Sequence, residues 1–119
     1  MPEGESLARF QDLYWSSYFR MADLAKDLKE KGKVDIEYGS VPMILASFSE
    51  RSEQAYKAML SNFIKNGHFE SEWLDSNDLN SIFPGINPKV RGGLCIPQLQ
   101  VEPYKYTLGL GMAAEEMGA

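Results

Sequence analysis

Leu7-Ala8-Arg9-Phe10-Gln11-Asp12-Leu13-Tyr14-Trp15-Ser16-Ser17-Tyr18-Phe19-Arg20-Met21-Ala22-Asp23-Leu24-Ala25-Lys26-Asp27-Leu28 is the stretch on which the reading of the fold turns. At about 100° per residue, Leu7, Phe10, Tyr14, Tyr18, Met21, Ala25 and Leu28 fall in one narrow helical stripe. Trp15, Phe19 and Ala22 widen it on one side, and Leu13 and Leu24 on the other, until roughly two thirds of the circumference is apolar. Arg9, Asp12, Ser16, Arg20, Asp23, Asp27 and Glu30 keep a polar face. A helix with one packing neighbour needs a stripe only a little over about 100° wide, so this one requires a second covering surface. Either the chain's own segment around Leu94 to Leu110 supplies that cover, or another chain does.

Outward from this helix, Ser6 is a good N-cap and Gly32 is expected to end it in the left-handed C-cap conformation. Val34, Ile36 and Tyr38 alternate with Asp35 and Glu37, which reads as a short extended segment closed by Gly39. Residues 41 to 48 admit either a helix start after Pro42 or a short buried strand. Ser47 and Glu50 have capping-box spacing, and Phe48, Ala55, Tyr56, Met59, Leu60, Phe63 and Ile64 then form one ordinary stripe ended by Asn66-Gly67. A second long helix therefore runs from about 50 to 65. Ser76 can cap a short helix carrying Leu79, Ile82 and Phe83, broken by Pro84-Gly85. Beyond it, Leu99 and Val101 alternate with glutamines, and Tyr104, Tyr106, Leu108 and Leu110 alternate with Lys105, Thr107 and Gly109, which suggests two strands. Residues 112 to 119 read as frayed.

The 119 residues fit a single domain, 1–119, large enough to bury a core without disulfides or metal. Cys95 is the one cysteine, the start resembles no secretory signal, and no apolar run reaches the roughly 18 residues of a membrane span. These features lead to the expectation of a cytoplasmic protein that does not engage a membrane. Twelve basic against seventeen acidic side chains give a formal charge of −5. That balance disfavours nucleic-acid binding, which draws most of its affinity from phosphate neutralisation.

No motif for chemistry is complete. His68-Phe69-Glu70 matches half of a zinc deaminase signature, but the lone Cys95 before Pro97 cannot supply the Cys-x-x-Cys half. Asp75, Asn77 and Asp78 begin like a calcium loop, yet Leu79 and Asn80 stand where a ligand and a glycine are required. Gly109-Leu110-Gly111-Met112-Ala113-Ala114 matches a dinucleotide fingerprint as a string. Such a site also needs a crossover helix, a second strand and an acidic residue, for which the residues after it leave no room. A nucleophile with a base would have to pair Cys95 or a serine with His68, and no local geometry supports that. Neither a metal nor an organic cofactor is expected.

Two groups of residues stand out as candidate sites. Trp15 and Phe19, with Tyr14 and Tyr18, lie on the flank expected to be left uncovered, and aromatic anchors of this kind dominate interfaces. In the loop Asn87 to Gly93, Lys89, Arg91, Gly92 and Gly93 could present cations and backbone N–H groups to an anion. The sequence thus reads as a mainly α protein with minor β (α+β), two long helices packed as a hairpin under a C-terminal third of short extended segments. Its favoured function is non-enzymatic: a small acidic adaptor, inhibitor or subunit that binds another protein or itself through the wide face of the first helix. The alternatives are a small-ligand or enzymatic domain with a pocket between that helix and the C-terminal loops, and nucleic-acid binding through the second helix and the Lys89 to Arg91 loop.

Overall fold

A computed structural model describes residues 3–119, Glu3 through its backbone only. In chain order the elements are α1 (Glu3–Lys31), β1 (Gly39–Ser47), α2 (Glu50–Lys65), β2 (Glu72–Asp75), α3 (Ser76–Ile82), β3 (Gly92–Gln100) and α4 (Pro103–Glu116). The class is α+β, mostly helical with a small sheet, as the sequence indicates. The strand order is β1-β3-β2. β2 runs antiparallel to β3, with Glu72 opposite Cys95, Trp73 opposite Leu94 and Leu74 opposite Gly93. The described residues up to Val41, together with Gln98–Ala119, form one compact unit, and Pro42–Pro97 form a second. No described helix is long and apolar enough to cross a membrane.

In the first unit α1 packs against α4, a helix that the sequence reading does not anticipate. The buried core of this unit is Leu28, Ile36 and Ala113, flanked by Leu24, Ala25, Val34, Val101 and Tyr106. Gly32 makes the packing possible: a Cβ there would stand 2.8 Å from the carbonyl oxygens of both Gly109 and Leu28. Its role is therefore close approach of backbones. The left-handed conformation expected of Gly32 falls on Lys33, with φ 57°.

The segment from Tyr104 to Leu110, expected as a strand, is helix instead. Glu102 caps it by accepting from the Lys105 N–H, and Pro103 takes the first helical position, where its missing N–H costs nothing. The buried positions of α4 are Gly109 and Ala113, four residues apart, while Tyr104 is 73% exposed. The period of two in the large apolar residues was thus misleading, because the packed face of this helix is made of Gly109 and Ala113 with Tyr106 beside them.

In the second unit the ambiguous stretch before α2 is strand. β1 ends at Ser47, fully buried, whose hydroxyl donates to the Ser49 carbonyl. The capping box lies two residues later than the sequence suggested: Ser49 Oγ accepts from the Ser52 N–H, and Ser52 Oγ accepts from the Ser49 N–H. α3 has its own box, with Asp75 as the cap in place of Ser76 and Asp78 as its reciprocal partner. Around these caps, Phe63, Leu79, Val90, Leu94 and Ile96 are buried.

Candidate ligand cleft on the first helix

The first half of α1 buries a face different from the one its apolar stripe suggested. Gln11 and Trp15 are buried, whereas Phe10 is 67% and Leu13 65% exposed. Trp15 lies inside, in edge-to-face contact with Tyr14 at 5.2 Å and Tyr18 at 5.5 Å, and so is not presented as a surface anchor. Phe19 is half exposed, its ring 5.1 Å from that of Tyr18. The most exposed large apolar side chains among the described residues of α1 are Phe10, Leu13 and Phe19.

Phe10 and Leu13 flank a cleft of about 310 Å³. Six residues of α1 line it, Phe10, Leu13, Tyr14, Ser17, Tyr18 and Met21, spaced so that they share one side of the helix. Gln98 and Leu99 from the end of β3 complete the lining. Gln98 Nε2 donates to the Tyr14 hydroxyl at 2.8 Å. Burial holds the Tyr14 pKa above its usual value, against the opposing effect of the Gln98 bond, so the phenol keeps its proton. Three hydroxyls and one carboxamide are the polar groups along the wall, and none of the lining side chains is charged.

A second hollow, about 360 Å³, lies within the other unit. Ile44, Leu74 and Cys95 form its sheet side, and Leu79, Ile82 and Phe83 of the α3 region face them. Burial, reinforced by the carboxylate of Glu72, pushes the Cys95 thiol up, so this free cysteine is a protonated, apolar part of the wall. The hollow lacks the converging hydrogen-bonding groups of the cleft on α1, which makes the cleft the stronger candidate.

The loop considered for anion binding is organised by its own neighbours. Arg91 Nε donates to Glu53 Oε2 at 2.6 Å, and Lys57 holds the other oxygen of that carboxylate at 2.9 Å while lying over the Trp73 ring. Gly92, at φ 152°, lies against Trp73, and Gly93 packs on Ile44. Lys89 is exposed, its N–H bonded to the Asn87 side chain. The string Gly109-Leu110-Gly111 sits inside α4, away from any strand-to-helix turn. His68 follows α2, with its N–H bonded to the Phe63 carbonyl. Gln98 was missed as a site residue because its alternation with Leu99 marked it only as the polar side of a strand. The cleft's other residues were legible as a helical face, but not as an open one.

A family model described as FAD dependent oxidoreductase matches residues 2–119. Among solved structures the chain is similar to glycine oxidase from Bacillus cereus ATCC 14579, with a TM-score of 0.69 and 20% identity over 89% of this chain and 29% of that one. Glycine oxidase from Geobacillus kaustophilus gives a TM-score of 0.70 at 20% identity, covering 89% and 28%. Dithionite-reduced L-α-glycerophosphate oxidase from Mycoplasma pneumoniae, with FAD bound, gives 0.55 at 18% identity, covering 66% and 22%. The chain therefore spans less than a third of the length of these oxidases, and the likeness at such identities is one of fold. No curated protein sequence matches the chain.

Proposed function

The chain belongs to the FAD dependent oxidoreductase family, and from that premise we propose that it forms the substrate-side part of such a flavoenzyme, with the dinucleotide held by residues other than those described. The family match overturns the non-enzymatic adaptor inferred from the wide face of α1, and favours the enzymatic alternative. The observation that carries the proposal is that match, which extends over residues 2–119.

The described residues do not fit the cofactor's diphosphate. A dinucleotide site sets the diphosphate on a glycine-rich turn that feeds a strand into a helix N-terminus. Here α3 and α4 begin with the carboxylates of Asp75 and Glu102 occupying the N-terminal N–H groups. A phosphate would have to displace like charge at either place. α2 is closed by the Ser49–Ser52 box, with Ser47-Phe48 before it in place of a glycine turn. Gly109 and Gly111 lie within a helix.

What the chain offers instead is the cleft on α1. In this proposal Tyr14, Ser17 and Gln98 orient an amine or alcohol substrate, and Phe10 and Leu13 shield it from water. A cytoplasmic setting belongs to the same proposal. Titration of FAD into the purified 119-residue chain, followed by flavin fluorescence polarisation, tests the assignment of the diphosphate. The expected result is no saturable binding, and saturable binding at micromolar FAD would overturn it.

A further inference from the structure

β1 is an edge strand whose outer side is unguarded. Among the described residues it pairs with β3 alone, in the order β1-β3-β2. The Ser47 carbonyl accepts from the Arg91 N–H at 2.8 Å, and the Leu45 carbonyl stands 3.2 Å from where a Cβ on Gly93 would lie. Leu45 and Ser47 therefore turn their main-chain groups toward β3. Successive residues of a strand alternate, so the N–H and C=O groups of Ile44 and Ala46 turn outward. Pro42 has the same parity and lacks an N–H, a placement that an outer edge tolerates. Strands that stay free in water usually carry charged side chains that oppose pairing with another strand. From Gly39 to Ser47, β1 carries none.

The same outward-turned residues mark a place for side chains. Pro42, Ile44 and Ala46 line the hollow of about 360 Å³, whose wall also includes Ile82 and Phe83, each about half exposed. Residues opposite one another on adjacent strands point to the same face of a sheet, so a strand added beside β1 directs its residue opposite Ile44 to the face that bears the hollow. The chain spans 28–29% of the glycine oxidases it resembles. Most of an oxidase of that length is therefore available to supply such a strand. We infer that the outer edge of β1 receives a strand from this remaining oxidase polypeptide, with an apolar residue opposite Ile44 that covers the hollow beside Ile82 and Phe83. The inference rests on the functional reading above in one respect, that the chain is part of a larger flavoenzyme.

Residue-resolved hydrogen exchange on the native protein tests this, because the two sides of β1 give separate readings. The Ile44 and Ala46 amides should be protected about a hundredfold or more over their unfolded rates, as the Leu45 and Ser47 amides are, and dilution should not release them. Photo-crosslinking from p-benzoylphenylalanine placed at position 83 identifies the occupant, and the expected product joins it to a peptide from outside residues 1–119. Ile44 and Ala46 amides that exchange near their unfolded rates while Leu45 and Ser47 stay protected would overturn the inference. Protection lost on dilution, or cross-links confined to residues 1–119 of the same or a second copy, would do so as well. The substrate-side reading is tested by KM and flavin content instead, so either can fail alone. A free edge beside a KM that responds to Tyr14→Phe overturns only the added strand, and a covered edge beside an indifferent KM overturns only the substrate-side assignment.

Discussion

At the scale of single residues, glycines divide sharply by what surrounds them. A Cβ on Gly92 would lie 2.5 Å from the Trp73 ring and 2.9 Å from the Leu74 carbonyl, at a φ of 152° that side chains rarely adopt. Gly92→Ala should therefore cost about 1–3 kcal/mol of stability, read by urea denaturation. Gly111, in α4, has nothing within 4 Å of its Cβ position. Gly111→Ala should stabilise by about 0.5–1 kcal/mol through helix propensity and the smaller entropy of the unfolded chain. Glu53 gives a second prediction. The hydrogen bonds from Lys57 and then Arg91 hold its carboxyl below the usual range. A folded-state pKa lowered in this way stabilises the protein above the unfolded carboxylate value, and the contribution disappears as pH falls through the folded one. The acid limb of the stability profile should be shallower in Glu53→Gln than in the natural sequence, and an unchanged limb would contradict the role of this pair of bonds. None of this was readable beforehand. The sequence offers Gly92 and Gly93 only as backbone donors to an anion, and the approach of Trp73 shows which atoms require a glycine at 92.

Among the elements, α2 was legible almost to the residue because one amphipathic stripe, a run of serines and Asn66-Gly67 agree on its limits. α4 was not, since its buried positions are Gly109 and Ala113, and of its large apolar residues Tyr106 is the one packed against that core. α1 was recognised as a helix, but its orientation was wrong in the first half. Gln11 displaces Phe10 from the interior, and a polar residue on the buried side is invisible to a count of apolar ones. The structure thus separates two substitutions that the sequence alone would have grouped. Trp15→Ala should destabilise by about 3–5 kcal/mol, the usual cost of truncating a buried aromatic. Phe10→Ser should stay within about 0.5 kcal/mol, as exposed changes do. Thermal melts of the two variants check this, and equal losses would show that both rings are packed alike.

For the whole molecule, the fold class was accessible from periodicity and the function was not. The adaptor reading rests on an absence, one histidine, one cysteine and no complete catalytic motif, and the family match overturns it. The error has a physical source. A flavoenzyme's cofactor carries the hard chemistry, so a part that faces the substrate needs only shape and a few neutral hydrogen-bonding groups. In the proposed reading Tyr14 and Gln98, eighty-four residues apart in the chain and 2.8 Å apart in space, serve as such a pair, and no local pattern joins them. The account's central claim is that this chain is the substrate-side part of an FAD dependent oxidoreductase. It is tested most directly in the native flavoprotein by measuring, for Tyr14→Phe and Gln98→Leu, both bound flavin per polypeptide and KM for an amine or alcohol that reduces the flavin. The account predicts unchanged flavin content with KM raised severalfold in each variant. Loss of flavin at unchanged KM would contradict it.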